Sequence, residues 1–101
     1  MRDAFMTDAP MLHETLTIIN QLGLHTRAAA KLVSLAAGFQ SNIEIVRRDN
    51  GQKANCKSIM AIMLLGATCG TVIDLQIQGE DQQDARNAIV GLVQNRFGEE
   101  G

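Results

Sequence analysis

Aromatic side chains are scarce in this sequence of 101 residues, which has no tryptophan, no tyrosine and three phenylalanines. Proteins that hold single-stranded nucleic acid stack the bases on aromatic rings and are usually basic. This chain has a formal net charge of −2 and a pI of about 5.5. The longest apolar run, residues 59–67, is far shorter than the roughly 20 residues of a membrane-spanning helix. We therefore expect neither a nucleic-acid partner nor insertion into a membrane.

Cysteine is also scarce, and Cys56 and Cys69 allow only a single disulfide. Residues 1–12 have no long apolar stretch and do not look like a secretory signal. We interpret them as a flexible extension or a tag remnant before one domain at 13–101. Without export, both thiols are expected to be reduced and partly buried. No CxxC or HxxxH spacing joins them to His13 or His25, so we expect no metal site and no cofactor.

Hydrophobic alternation and turn signals predict the element order β-α-β-β-α-β-α. The predicted strands cover residues 14–20, 42–47, 52–56 and 71–78, and the predicted helices cover 28–39 (ending near Gly38), 58–65 and a segment that Asp81 caps. Asn50-Gly51 predicts a type I′ hairpin turn, which needs positive φ angles. These elements predict an α+β fold, a two-layer open-faced sandwich in which three helices cover one face of a four-stranded antiparallel sheet.

The short helix predicted at 58–65 is apolar nearly all the way round. Ser58 can cap it through its hydroxyl. A helix of this composition cannot bury every side in a small two-layer domain. We expect one set of its side chains in the core (Ile59, Ile62 and Leu65) and another set exposed as a partner surface (Met60, Met63 and Leu64).

The run Gly23-Leu24-His25-Thr26-Arg27 lies where a predicted strand leads into a predicted helix, with His25 or Thr26 close to its N-cap. The first N–H groups of a helix lack internal partners and stabilise an anion, above all phosphate. Arg27 adds donors suited to phosphate oxygens, and a histidine there could accept a phosphoryl group. Residues 25–57 also contain six basic and two acidic side chains, which favours acidic or phosphorylated partners.

Gly23 to Arg27, followed by Ala28-Ala29 and later by Lys57-Ser58-Ile59-Met60 and Leu65-Gly66, resembles HPr, the histidine-containing phosphocarrier family of the bacterial phosphotransferase system. The likeness extends over about residues 14–97. One position departs from it, because the family usually has proline where this chain has Ala28. Alanine is an excellent helix former, so the helix should survive with a less rigid start.

The resemblance implies a carrier that is itself a covalent intermediate rather than a free-standing enzyme. Enzyme I, charged from phosphoenolpyruvate, would phosphorylate His25 at Nδ1, and an A-type subunit would take the group onward. Arg27 and Thr26 would hold the phosphate, and Ser58 matches a serine that a dedicated kinase modifies in some members. The expected partner interface comprises Thr26, Lys31, Lys57, Met60, Met63 and Leu64. A cytoplasmic monomer is expected.

Three interpretations remain open from the sequence. The first is a phosphocarrier linked to sugar transport. The second is its nitrogen-related counterpart, which serves regulation without coupled sugar uptake and which Ala28 keeps open. The third is a non-catalytic regulatory binding domain of the same fold, and the presence of both His25 and Arg27 argues against it.

Overall fold

The computed structural model describes residues 10–101. It contains the predicted order of elements: β1 (Leu12–Thr17), α1 (Thr26–Ala36), β2 (Asn42–Arg47), β3 (Lys53–Asn55), α2 (Ile59–Leu65), β4 (Val72–Gln78) and α3 (Gln82–Gln94), followed by a 3₁₀ turn at Arg96–Gly98. No helix in this described part of the chain is both long and apolar enough to cross a membrane. Most of the predicted extension, residues 1–9, lies outside the described residues, and β1 begins at its last residue, Leu12.

The four strands form one antiparallel sheet in the order β1-β4-β2-β3. Successive side chains of a strand point to opposite faces. In the central strand β4 this alternation buries Ile73, Leu75 and Ile77, while the residues between them are half-buried. All three helices contribute side chains to the core on the same side of the sheet, among them Leu32, Ile62 and Ile89. The predicted α+β open-faced sandwich is confirmed.

The hairpin between β2 and β3 forms as predicted, but not through a type I′ turn. That turn needs positive φ at both central residues. Of Asn50 and Gly51, only Gly51 has one, at +74°. A longer loop closes instead, with Gly51 N–H donating to Arg47 O at 2.8 Å and the Asn50 side-chain oxygen accepting from Gln52 N–H at 2.8 Å.

Asp81 lies at the N-cap position of α3, but its side chain makes no capping hydrogen bond, so that prediction was wrong. The carboxylate accepts from Gln40 N–H, Ser41 N–H and Ser41 Oγ instead. These bonds favour the ionised form and lower the pKa of Asp81. The residue thus connects the start of α3 to the loop between α1 and β2.

Both cysteines are free, as predicted, but they differ in environment. Cys56 is fully buried, and this burial raises the pKa of its thiol to about 12. Cys69 is exposed, which corrects the expectation that both would be partly buried. The reason is its position in the tight connection before β4, outside the alternating pattern that carries side chains inward.

The chain reverses direction after α3. Arg96 and Phe97 both have φ of +55°, a left-handed conformation that costs an L-residue roughly 1–2 kcal/mol. Burial of the whole Phe97 side chain offsets this cost. Two hydrogen bonds hold the returning segment: Lys31 Nζ donates to Phe97 O at 2.6 Å, and Gln21 N–H donates to Gly101 O at 2.7 Å. Residues 98–101 therefore lie beside the loop that leads into α1.

Candidate functional site

The loop between β1 and α1 is fixed against the connection between α2 and β4. Gly23 has φ of +67°, and a Cβ there would lie 2.6 Å from Ala67 O, so only glycine fits this close approach. The next residue, Leu24, donates its N–H to the same carbonyl at 2.9 Å and buries its side chain. This anchoring places His25 at the first turn of α1.

His25 is the N-cap residue of α1, with an extended backbone at φ −73° and ψ 179°. Its carbonyl accepts from Ala29 N–H at 2.8 Å, the first bond of the helix. Its ring nitrogen Nδ1 accepts from Arg27 N–H at 3.3 Å, which is long for such a bond. The predicted site residue therefore caps the helix with its imidazole, and Nδ1 faces the N–H groups of the first turn.

The other ring nitrogen of His25 meets a residue that the sequence did not point to. Nε2 lies 2.5 Å from Oε2 of Glu99, in the segment that returns after α3. The side chains of His25 and Glu99 are 26% and 13% exposed. Because an ionised carboxylate can only accept, Nε2 carries the hydrogen and Nδ1 keeps its lone pair. The contact with Arg27 N–H requires the same tautomer.

A buried asparagine completes this arrangement. Asn20 is fully buried at the start of the loop, and its Nδ2 donates to Gly23 O at 2.7 Å and to Glu99 Oε1 at 3.0 Å. The hydrogen bond from His25 lowers the pKa of Glu99 the most, and the hydrogen bond from Asn20 lowers it further. Both oxygens of Glu99 therefore have a donor, one on the ring and one on the loop.

Sequence reasoning missed Glu99 and Asn20 because neither belongs to a local pattern. Glu99 lies 74 residues after His25. The one sequence signal for Glu99 was the acidic pair Glu99-Glu100 directly after Gly98. The residues around this pair otherwise look like the end of the last predicted helix.

Arg27 differs from the other basic side chains of residues 25–57. Its guanidinium is exposed and makes no hydrogen bond or ion pair within residues 10–101. The others have partners: Arg47 pairs with Asp49, Arg48 with Asp74 and Lys53 with Glu44, while Lys31 and Lys57 donate to the carbonyls of Phe97 and Phe39. Arg27 also lines a surface depression of about 460 Å³ together with Gln21, Leu22, Lys31 and residues 98–101. An unpaired cation at a helix N-terminus is unfavourable unless an anion binds there.

The second predicted site lies at the start of α2. Ser58 is its N-cap, and Oγ accepts from Ala61 N–H at 3.2 Å. Met60 and Leu64 are 65% and 69% exposed, and Met63 is exposed as well, as predicted. Ile59 was expected in the core but is 41% exposed. At about 100° per residue it lies roughly 90° from the midpoint of the buried Ile62 and Leu65, at the edge of the buried face.

Across the described part of the chain, no group of three or more His, Cys, Asp or Glu side chains could hold a metal ion. His13 is exposed on β1, opposite Gln76. Thr26 is the first residue of α1 and is exposed, next to His25. The structure thus brings His25, Thr26 and Arg27 together at one helix N-terminus.

The chain is similar to known phosphocarriers along most of its length. The family model described as the phosphorylation site of the phosphotransferase-system HPr component matches residues 12–95. The phosphocarrier protein HPr of Cupriavidus necator is 47% identical over 89 residues, 88% of this chain and 98% of the relative. HPr-C-His from Thermoanaerobacter tengcongensis has a TM-score of 0.84 at 41% identity, covering 89% of this chain and 99% of that one. A structure described as an HPr dimer from the same organism has a TM-score of 0.69 at 42% identity, covering 83% and 94%.

Taken with the confirmed sandwich and the histidine at the start of α1, these similarities establish that the chain belongs to the HPr family, the phosphocarriers of the phosphotransferase system.

Proposed function

We propose that this chain accepts a phosphoryl group from enzyme I, originating in phosphoenolpyruvate, on Nδ1 of His25 and passes it to A-type subunits of the phosphotransferase system. The observation that carries the proposal is the orientation of the ring. Nδ1 keeps its lone pair and faces the N–H groups of the first turn of α1. A neutral imidazole is a nucleophile near neutral pH.

The transfer requires few participating groups. The Nδ1 lone pair forms a bond to phosphorus while the bond between phosphorus and the donor breaks, and that electron pair leaves with the donor. Phosphoryl transfer depends mostly on positioning and on stabilisation of charge. The N–H groups at the start of α1 supply the stabilisation together with the guanidinium of Arg27, which has no partner within residues 10–101. The exposed Thr26 contributes at the same end.

Partner proteins would dock on the surface next to this helix end. Met60, Met63 and Leu64, here called the apolar patch, are exposed on α2. Such patches commonly mark partner surfaces, and methionine adapts to several partners. Thr26, Lys31 and Lys57 would form its polar surroundings. Lys31 and Lys57 each donate to one backbone carbonyl, which fixes where their charges lie.

Ser58 is the proposed site of regulatory phosphorylation by an HPr kinase. A phosphate there would lie at the N-terminus of α2 and add nearly two negative charges beside the apolar patch. It would repel an acidic partner. The hydroxyl now caps the helix, so the modification must replace its bond to Ala61 N–H with bonds to phosphate oxygens.

We place the chain in the cytoplasm as a monomer that is linked to sugar transport. The nitrogen-related carrier is the second candidate, which Ala28 keeps open because the resembled family usually has proline there. Incubation of the phosphorylated chain with A-type subunits of each branch distinguishes the two, because only the matching subunit should gain phosphate rapidly. Sedimentation at micromolar concentration tests the monomer, and a mass twice that of the chain would contradict it.

The central experiment is incubation with enzyme I and phosphoenolpyruvate, followed by intact mass measurement. We expect one phosphate, lost in acid and stable in base as a phosphoramidate is. His25→Ala should abolish the uptake, whereas His13→Ala, which removes the other histidine, should not. Uptake by the His25→Ala variant would overturn the assignment, and no uptake by the unmodified chain would favour the non-catalytic binding domain.

A further inference from the structure

We propose that Glu99 is a positioning residue for phosphoryl transfer at His25. With Asn20 it holds the imidazole in the tautomer that leaves Nδ1 as the nucleophile, and its charge balances the ring once phosphorus is bound. This inference rests on the proposed function. It assigns a role to the segment after α3, which lies outside the motif run of residues 23–27.

The geometry of the contact supports a specific orientation rather than a general charge effect. Oε2 of Glu99 lies 2.5 Å from Nε2 of His25, and Oε1 accepts from the fully buried Asn20 at 3.0 Å. Asn20 in turn donates to Gly23 O, inside the loop that positions His25. One carboxylate therefore joins the reacting ring, through the buried Asn20, to the loop that positions it, and its side chain is only 13% exposed.

The backbone conformation around Glu99 directs this carboxylate towards the ring. Arg96 and Phe97 reverse the chain with positive φ, Phe97 is fully buried, and Lys31 Nζ holds Phe97 O. Glu99 N–H then donates to Arg96 O at 2.9 Å, which tightens the turn. Left-handed conformations at two bulky residues persist only where the surrounding structure holds them. The chain reversal therefore brings the Glu99 carboxylate next to the His25 ring.

The chemistry explains what the carboxylate contributes. When Nδ1 shares its lone pair with phosphorus, the ring keeps the hydrogen on Nε2 and becomes positively charged. Glu99 accepts that hydrogen bond and offsets the charge, as carboxylates do for catalytic and metal-bound histidines. When the phosphoryl group leaves, the electron pair of the N–P bond returns to Nδ1. The ring is then a neutral imidazole again, with its Nε2 hydrogen in place. No proton has to move in either direction.

The experiment compares Glu99→Gln and Glu99→Ala with Glu100→Gln. The Glu100 side chain is exposed and makes no hydrogen bond or ion pair with any described residue, so this control removes the same charge from the neighbouring position. The first readout is the ¹⁵N chemical shifts of the His25 ring without any phosphoryl donor. The second is the initial rate of phosphate uptake from enzyme I, measured by rapid quench.

We expect a pyridine-type shift at Nδ1 and a pyrrole-type shift at Nε2 in the unmodified chain and in Glu100→Gln. Both shifts should move towards averaged values in Glu99→Ala, which removes the acceptor, whereas the amide oxygen in Glu99→Gln can still accept from Nε2. Uptake should slow about tenfold in both Glu99 variants, the size of one lost charge-assisted hydrogen bond. Unchanged shifts in Glu99→Ala, or uptake by both variants at least as fast as by the unmodified chain, would overturn the role of Glu99. Absence of uptake by the unmodified chain would instead overturn the proposed function, because the shifts are measured without a donor.

Discussion

The helices α1 and α2 begin in similar ways but differ in what surrounds their caps. Each has a polar side chain at the N-cap that accepts an N–H of the first turn, His25 for α1 and Ser58 for α2. The Ser58 hydroxyl accepts from Ala61 N–H, three positions ahead. The His25 ring makes a long bond of 3.3 Å to Arg27 N–H and a short one of 2.5 Å to Glu99.

This difference separates a cap that makes only a local bond from a cap that a distant residue also orients. The Ser58 hydroxyl accepts one N–H of its own helix, and no distant residue among those described orients it. At His25 the capping bond is weak and the distant carboxylate holds the ring. Loss of the capping bond on phosphorylation would therefore leave the ring in place and free Arg27 N–H for the phosphate.

The largest effect that we predict in this comparison is on the rate of transfer. Arg27→Ala should slow phosphate uptake from enzyme I by about ten- to a hundredfold, because a charge-assisted contact is worth roughly 1.5–3 kcal/mol. The helix N–H groups remain, so transfer continues. Quench-flow measurement tests this, with Arg48→Ala as the control because Arg48 pairs with Asp74. Equal rates for the two variants would show that Arg27 does not hold the phosphate.

The sequence alone predicted the part of the site that consists of neighbouring residues in the chain. His25, Thr26 and Arg27 occupy consecutive positions, and helix periodicity after them predicts where α1 starts. Alternation predicted four strands, and the boundaries differ mainly at β1 and β3. Ring orientation could not be predicted, because it depends on Glu99, and Glu99 reaches the ring only through the reversal at Phe97.

The next effect is on partner affinity. Met60→Glu should weaken binding to enzyme I roughly tenfold, because a glutamate in an apolar contact carries a desolvation cost and repels an acidic partner. Stability should change little, since Met60 is 65% exposed. Met11→Glu is the matched control, an exposed methionine just before β1. Calorimetric titration and thermal melting are the measurements. A large fall in the melting temperature of Met60→Glu would place Met60 in the core.

A smaller effect concerns helix stability. Ser58→Ala should lower the free energy of unfolding by about 1 kcal/mol, because it removes the acceptor for Ala61 N–H. Urea titration measures this. Ser34→Ala, on the exposed side of α1, makes no comparable change in capping and should be nearly neutral. Phosphate uptake at His25 should be the same in both variants, and an altered uptake rate in Ser58→Ala would mean that the two helix starts are coupled.

Two expectations failed for different physical reasons. Asp81 has the right position to cap α3 but accepts three bonds from residues 40 and 41. Ile59 continues an apolar run but lies at the edge of the buried face of a helix only seven residues long. Local sequence patterns could not show the distant donors of Asp81. At Ile59, the apolar run alone did not show where the buried face of the helix ends.

The smallest predicted effect concerns the start of α3, at Asp81, and depends on pH. The pKa of Asp81 is lowered from 3.8 because the folded state donates three hydrogen bonds to its carboxylate. Such a group stabilises the fold fully above its unfolded pKa, and this stabilisation is lost as pH falls through the lower folded pKa. The difference in melting temperature between the unmodified chain and Asp81→Asn should therefore be constant from about pH 7 to pH 5 and shrink below about pH 4. Asp84→Asn controls for the loss of one charge from the same helix. If the difference for Asp81→Asn persists unchanged at pH 3, the destabilisation comes from altered packing and not from loss of the hydrogen bonds to the carboxylate.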